Sequence, residues 1–264
     1  MSYRLIAIDL DDTLLGTDLK ISPKNREAIL AAVEQGVQVT IATGRMYISA
    51  VNFAVELGLD IPLITYQGGL IKESNSGDIL YNQTLPVDIC QKVIQACQAK
   101  GVHLQVYIDD EYYIESENEY SEFYGRNVGL KGVTVGSLDK FLDRRPNKLL
   151  IIDKPKRITE IWKEFSPIFG QDIEISASKP IFLEFTHKEA TKGKALKYLS
   201  GLKDIPKDEI IAIGDGHNDV SMIDYAGLGI AMKNAPEEVR NSADYVTATN
   251  DEDGVAQAIY KFVL

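Results

Sequence analysis

Four short stretches of the chain have residue types and spacings that could do chemistry. The first is Asp9-Leu10-Asp11-Asp12-Thr13-Leu14, three carboxylates within four residues directly after the apolar run Arg4–Leu10. Like charges this close repel unless a cation neutralises them. All-oxygen ligation by carboxylate and water suits a hard divalent ion such as Mg²⁺. The bland alternative is that these acids cap a turn, where Asp is common. The second stretch is Ile213-Gly214-Asp215-Gly216-His217-Asn218-Asp219, again acids after an apolar run. Asp219 could simply favour the dipole of a following helix. Two acidic clusters at two strand ends, however, are what a metal site built across neighbouring strands requires. The third is Val39-Thr40-Ile41-Ala42-Thr43-Gly44-Arg45. A hydroxyl, a glycine and a helix N-terminus offer donors to a phosphate, though Thr-Gly is also an ordinary turn. The fourth is Thr191-Lys192-Gly193-Lys194, where Lys192 opens a helix against its dipole. Such a lysine is usually solvated; an acidic, phosphate-binding site would instead want one fixed ammonium.

These stretches must be positioned by ordered elements, and the pattern supplies them. Residues 4–66 read strand, helix, strand, helix, strand. Strands are expected at Arg4–Leu10, Val37–Ala42 and Pro62–Tyr66. One helix follows the Ser22-Pro23 start and stops at Gly36, and another spans Tyr47–Leu57. That order implies a parallel sheet with both faces covered. Asn75-Ser76-Gly77-Asp78, between Leu70-Ile71 and Ile79-Leu80-Tyr81, marks a hairpin. From Leu85 to Glu184 the pattern changes. Helices are expected near Val87–Lys100, Glu117–Gly125 and Pro155–Phe169. Strands are expected near Leu104–Ile108, Leu149–Ile152, Asp172–Ser176 and Ile181–Phe185, which reads as an α+β unit with an antiparallel sheet. Alternation then resumes: a helix at Lys192–Leu202, strand Glu209–Gly214, a helix near Val220–Ala226, strand Leu228–Ala231, and helices from Pro236 and over Val255–Val263. The expectation is a discontinuous α/β core, 1–82 and 187–264, interrupted by an α+β insert over 83–186.

Composition narrows the partners. The chain has 264 residues, 45% of them hydrophobic, with 39 acids against 28 bases and a net charge of −11. The core can be sizeable, and wholesale disorder is excluded. The acidic balance argues against gripping nucleic acid or an anionic membrane. Residues 83–186 hold 13 bases and 16 acids, so most of the excess belongs to the core. No apolar stretch is long enough for a membrane span, and Leu5–Ile8 is too short for a signal peptide. Cys90 and Cys97 lie two helical turns apart, roughly 10 Å along the axis, too far for a disulfide. They read as packing residues of a reducing cytoplasm. Oligomeric state is not readable, and a kinase loop G-x-x-x-x-G-K-[ST] is lacking.

Together, Asp9–Leu14, Thr43-Gly44-Arg45, Lys192-Gly193 and Gly214–Asp219 resemble the four ordered motifs of the haloacid dehalogenase-like hydrolases. More closely, the chain is similar to the Cof-type sugar phosphatases of the YidA group. Ile64-Thr65-Tyr66-Gln67-Gly68-Gly69, Gly229–Ala235 and Asp253-Gly254-Val255-Ala256 also match that group. Two departures stand out: Asp12 where the family more often has Gly, and Gln67-Gly68-Gly69 where the group usually has Asn-Gly-Ala. The resemblance implies a Rossmann-like α/β parallel-sheet core with an inserted α+β cap domain of the C2B type that closes over it. It implies a Mg²⁺-dependent phosphatase of small phosphorylated metabolites, sugar phosphates foremost, acting through an aspartyl phosphate. Asp9 would be the nucleophile and Asp11 the general acid and base. Asp9, the main-chain carbonyl of Asp11 and Asp215 would hold the metal, and Asp219 would orient water or Lys192. Thr43, Gly44, Lys192 and Asn218 would bind the transferring phosphoryl oxygens. A sugar-phosphate mutase, or a non-enzymatic metabolite sensor on the same fold, are the competing readings. A dehalogenase would give Asp11 no task, and a phospho-accepting receiver would be far shorter. Lys179, Tyr107, Tyr112 and Tyr113 are candidate specificity residues of the insert, and His217 reads as a loop spacer.

Overall fold

A computed structural model describes residues 3–264; Met1 and Ser2, at the head of the expected 1–82 segment, lie outside the described residues. The chain begins β1 (Leu5–Asp9), α1 (Pro23–Glu34), β2 (Gln38–Ala42), α2 (Tyr47–Leu57), β3 (Pro62–Thr65), β4 (Leu70–Glu73) and β5 (Ile79–Asn82). It continues α3 (Val87–Lys100), β6 (Leu104–Ile108), β7 (Glu111–Ile114), α4 (Glu119–Val128), β8 (Val133–Thr134), α5 (Leu138–Phe141), β9 (Lys148–Ile152), α6 (Pro155–Phe169), β10 (Glu174–Lys179) and β11 (Phe182–Thr186). It closes with α7 (Lys192–Leu202), β12 (Ile210–Gly214), α8 (Val220–Tyr225), β13 (Leu228–Ala231), α9 (Glu237–Ser242), β14 (Tyr245–Val246) and α10 (Gly254–Phe262). These elements form two compact units. One comprises the residues up to Tyr81 with Ala190–Leu264, the other Asn82–Glu189.

The first unit carries an eight-stranded sheet in the order β14-β13-β12-β1-β2-β3-β4-β5. From β14 to β3 all pairings are parallel, and β4 turns back antiparallel on β3. The α/β alternation and the hairpin at Gly77 stand as expected. Every residue of β1 is buried, because both faces are covered. Leu5, Ala7, Ala212 and Ile64 pack on one face against Leu196 and Leu199 of α7 and Met222 of α8. Each such buried leucine or isoleucine contributes about 1.5–3 kcal/mol.

The second unit carries a six-stranded sheet, β10-β11-β9-β6-β7-β8. The expected antiparallel sheet runs from β10 to β7, and at its edge β8 pairs β7 in parallel. Strands β7 and β8 escape a sequence reading for a local reason. The turn from β6 to β7 is Asp109-Asp110 with φ of +51° and +65°. A two-residue hairpin turn needs such angles, but Asn-Gly or Asp-Gly is its usual signature. Helix α4 also shifts. Asn118 accepts from Tyr120 N and Ser121 N, and the Ser121 hydroxyl accepts from Asn118 N, so the helix starts at Glu119 and runs through Gly125 to a left-handed Gly129. Cys90 and Cys97 are buried free thiols of α3, and burial pushes both up to about 12. Among the described residues no helix is long and apolar enough to cross a membrane.

Candidate active site

Parallel pairing brings the singled-out stretches to one end of the first unit's sheet. Asp9 ends β1 beside Ala42 of β2, and Ile8 pairs Ile213 of β12. Thr43 and Asp215 therefore follow the ends of the two strands flanking Asp9. This carboxyl edge is where open α/β sheets bind ligands.

Lys192 supplies the centre. It opens α7, whose N-cap Thr191 accepts from Lys194 N, and its side chain is fully buried. Its Nζ donates to Asp9 Oδ1 and to Asp219 Oδ1, each at 2.5 Å. Asp219 Oδ2 accepts the main-chain N–H groups of Asp215 and Gly216 at 3.0 and 2.8 Å. Asp219 is thus fully engaged in holding Lys192 and the loop after β12. Thr13 donates its hydroxyl to Asp215 Oδ1 at 2.8 Å. Carboxylate oxygens of Asp9, Asp215 and Asp219 lie within 4.8 Å of one another.

One ammonium faces three carboxylates, a formal excess of two negative charges in a site almost closed to water. Burial pushes Asp9 well up, Asp219 and Asp215 add to this, and Lys192 opposes it. Asp215 is pushed up to about 6, again by burial first, with Asp219 and Asp12 adding and the Thr13 hydroxyl opposing. Burial alone would lower Lys192, but Asp219 and Asp9 outweigh it and hold the ammonium charged. A hard divalent cation on Asp9 and Asp215 would remove the repulsion, and the all-oxygen donor set fits one. The side chain of Asp11 is not among these donors. Arg45 takes both its oxygens, Nε to Oδ2 at 2.8 Å and Nη2 to Oδ1 at 2.6 Å. Any contribution of Asp11 to a metal would come from its main-chain carbonyl.

The turn carrying Asp11 is tight. Asp12 has φ of +60°, a region where Gly is easiest and Asp is among the better tolerated residues. Its main-chain carbonyl accepts from Asn234 Nδ2 at 2.8 Å, and its side chain is exposed.

Thr43 is buried, and its Oγ1 accepts from Arg45 N at 3.1 Å. Asn218 is exposed and donates to Gln67 Oε1 at 2.8 Å. The Gln67 amide lies against Gly44: a Cβ there would come within 2.4 Å of Gln67 Nε2. Thr43, Gly44, Lys192, Asn218, Asp9, Asp215 and Asp219 therefore gather at one strand-end edge, with Asp11 held beside it by Arg45. Arg45, Gln67 and Thr13 are the members to which the sequence reading gave no role. Each sits inside a motif already singled out, so adjacency was the available signal. Its geometry was not, because these contacts join residues up to 202 positions apart.

The specificity candidates of the other unit fare differently. Tyr107, Tyr112 and Tyr113, the candidate specificity residues, are buried. Tyr107 stacks on Tyr112 at 5.8 Å, and both meet Tyr124 edge-on. Lys179 is exposed at the end of β10. His217 is exposed, 3.5 Å from Glu238.

Comparison with known proteins finds relatives over nearly the whole chain. The haloacid dehalogenase-like hydrolase family matches residues 6–259. The 5-amino-6-(5-phospho-D-ribitylamino)uracil phosphatase YwtE of Bacillus subtilis is 34% identical, covering 97% of this chain and 96% of its own. The crystal structure of TM0651 from Thermotoga maritima superposes with a TM-score of 0.91 at 33% identity, covering 99% of this chain and 98% of that one. The subclass IIB sugar phosphatase BT4131 gives a TM-score of 0.84 at 26% identity, with 98% of each chain covered. Match over nearly the whole length, with the strand-end carboxylates and the buried lysine in place, makes the chain a member of the haloacid dehalogenase-like hydrolases and a phosphatase of their Cof type.

Proposed function

We propose that this phosphatase hydrolyses small phosphorylated metabolites, sugar phosphates and related polyol phosphates foremost, through an aspartyl phosphate on Asp9 with Mg²⁺ as cofactor. The observation that carries the reading is Lys192, buried and bonded at 2.5 Å to both Asp9 and Asp219. An ammonium so fixed serves an anionic ligand at Asp9 without needing to reorganise. Two relatives support the substrate class by what they act on: one is a sugar phosphatase, the other takes a phosphorylated ribityl chain.

Asp9 Oδ attacks phosphorus, the bond from phosphorus to the ester oxygen breaks, and Asp11 delivers a proton to the departing oxygen. Water then attacks the phosphorus of the aspartyl phosphate, and Asp11 takes the proton. Inorganic phosphate leaves, and the Asp9 carboxylate is restored. Lys192, Thr43, the Gly44 N–H and Asn218 hold the equatorial oxygens, where charge gathers in the transition state. Arg45 orients Asp11, and delivering its proton requires giving up one of the two bonds to that guanidinium. Asp219 fixes Lys192 and the Asp215 loop. Mg²⁺ on Asp9, Asp215 and the main-chain carbonyl of Asp11 would neutralise the repulsion between carboxylate and phosphate dianion. Two buried free thiols fit a reducing, cytoplasmic setting.

The test is Asp9→Asn. The variant should fold, since it removes a repelled buried charge, and should release no phosphate from p-nitrophenyl phosphate. Normal turnover by that variant would overturn the nucleophile assignment.

A further inference from the structure

The segment after β3 is strained, and it touches three parts of the phosphate-binding edge at once. Tyr66 and Gln67 both adopt left-handed backbone, φ +51° and +61°. Neither is a glycine, and each such residue costs of order 1–3 kcal/mol. The surroundings impose the shape. Tyr66 N donates to the Arg45 carbonyl and Gln67 N to the Thr43 carbonyl. Gly68 follows at φ +99°, pressed so close to α7 that a Cβ would stand 2.3 Å from the Thr191 carbonyl oxygen. The loop is thus pinned between the turn after β2 and the start of α7, next to Lys192.

What this arrangement delivers is the carbamoyl group of Gln67. Its Oε1 accepts from Asn218, and its Nε2 lies over Gly44. Asn218 and Gly44 are two of the four groups assigned above to the phosphoryl oxygens. Gln67 is the side chain that bridges them, and its half-buried amide keeps an N–H₂ on the Gly44 side.

We propose that Gln67 is a phosphate-contacting residue: its Nε2 donates to an oxygen of the transferring phosphoryl group between Gly44 and Asn218, while Oε1 holds Asn218 in place. The strain in the loop is tolerated because it delivers this amide. This inference rests on the phosphatase reading and adds to it a fifth donor that the four family motifs do not contain.

Three variants separate donation from mere support. Gln67→Glu keeps the acceptor for Asn218 but turns the donor into an anionic oxygen. Gln67→Leu removes both functions. Gln67→Asn shortens the arm. The readouts are kcat/KM with p-nitrophenyl phosphate, the inhibition constant of inorganic phosphate, and the melting temperature. Under the proposal Gln67→Glu is the worst of the three, losing about 10²-fold in kcat/KM and weakening phosphate inhibition by at least tenfold. Gln67→Leu and Gln67→Asn fall between it and wild type. If Gln67 only supports Asn218, Gln67→Leu causes no further loss of kcat/KM or of phosphate inhibition in an Asn218→Ala background, which overturns the proposal; a further loss there of about tenfold upholds it. The melting temperatures separate such a loss from a general loss of stability. A wild-type protein that neither releases phosphate nor is inhibited by it would instead sink the phosphatase reading itself.

Discussion

Among the described residues, each unit of the molecule buries one lysine against carboxylate, and the two arrangements differ in an instructive way. In the first unit Lys192 is bonded to Asp9 and Asp219 at 2.5 Å, with Asp215 beside them. In the second, Lys148 stands 3.5 Å from Glu184, with side-chain exposures of 4% and 7%. The Tyr107 ring covers its ammonium at 4.8 Å, Ser178 donates to Glu184 Oε1, and Glu184 Oε2 has no partner among the described residues. The second cluster is charge-balanced, loosely bonded and lies across the middle of a sheet. The first has acids to spare and lies at the ends of parallel strands. Burial of charge is therefore not the mark of the active site; an uncompensated excess at a strand-end edge is.

Removing each lysine sharpens that contrast most. Lys192→Ala should lower kcat/KM by 10³-fold or more, since it strips the fixed cation from the nucleophile. Lys148→Met should act on stability, costing about 3–5 kcal/mol by leaving Glu184 buried and unpaired. The double replacement Lys148→Met with Glu184→Leu should recover that loss, ending neutral or stabilised by about 1–4 kcal/mol in urea unfolding. A double variant as unstable as the single one would break the comparison.

Metal should distinguish the clusters next. EDTA should stop hydrolysis and Mg²⁺ restore it. At about 100 times its dissociation constant, Mg²⁺ should add about 2.7 kcal/mol of stability, a rise of several degrees in Tm. Asp215→Asn should abolish that rise, and Glu184→Gln should leave it intact. A shift of equal size in Asp215→Asn would place the ion elsewhere.

The smallest effect belongs to the second unit alone. His103 is buried between the Asn118 and Gln105 amides, at 3.0 and 3.2 Å. Burial lowers it from 6.5 to about 4. The unfolded chain therefore binds a proton that the folded one refuses. This penalty is absent above pH 7, grows as pH falls through 6.5, and is complete near pH 4, at about 3 kcal/mol. His103→Gln should remove that part of the slope of unfolding free energy against pH. An unchanged slope would mean His103 charges freely in the fold.

The sequence foretold some of this molecule and missed other parts for physical reasons. Helices α3, α6 and α7 and strands β6 and β13 carry their own punctuation in caps, glycines and periodicity, and their limits follow from it. Strand β7 does not, because its turn uses Asp-Asp where glycine is the usual signal. Gly125 looked like a helix end but sits inside α4, since Asn118 and Gly129 set the real limits. Similarly, Tyr107 and Tyr112 have the composition of surface recognition residues, and only packing reveals them as core.

What the sequence determined by itself was the chemistry on offer: carboxylates after two buried strands, a threonine and glycine after a third, and a lysine opening a helix. Residue type and local spacing suffice there, because strand-end position and helix start are local properties. Only the tertiary structure decided which of these groups meet. The parallel register of β1, β2 and β12 sets Asp9, Thr43 and Asp215 side by side. Packing of α7 then drives Lys192 between Asp9 and Asp219, residues 183 and 27 positions away. Arg45 on Asp11 and Gln67 on Asn218 are likewise long-range contacts. No local pattern encodes such pairs, because their free energy comes from burial and hydrogen bonding that exist only once the sheet has formed.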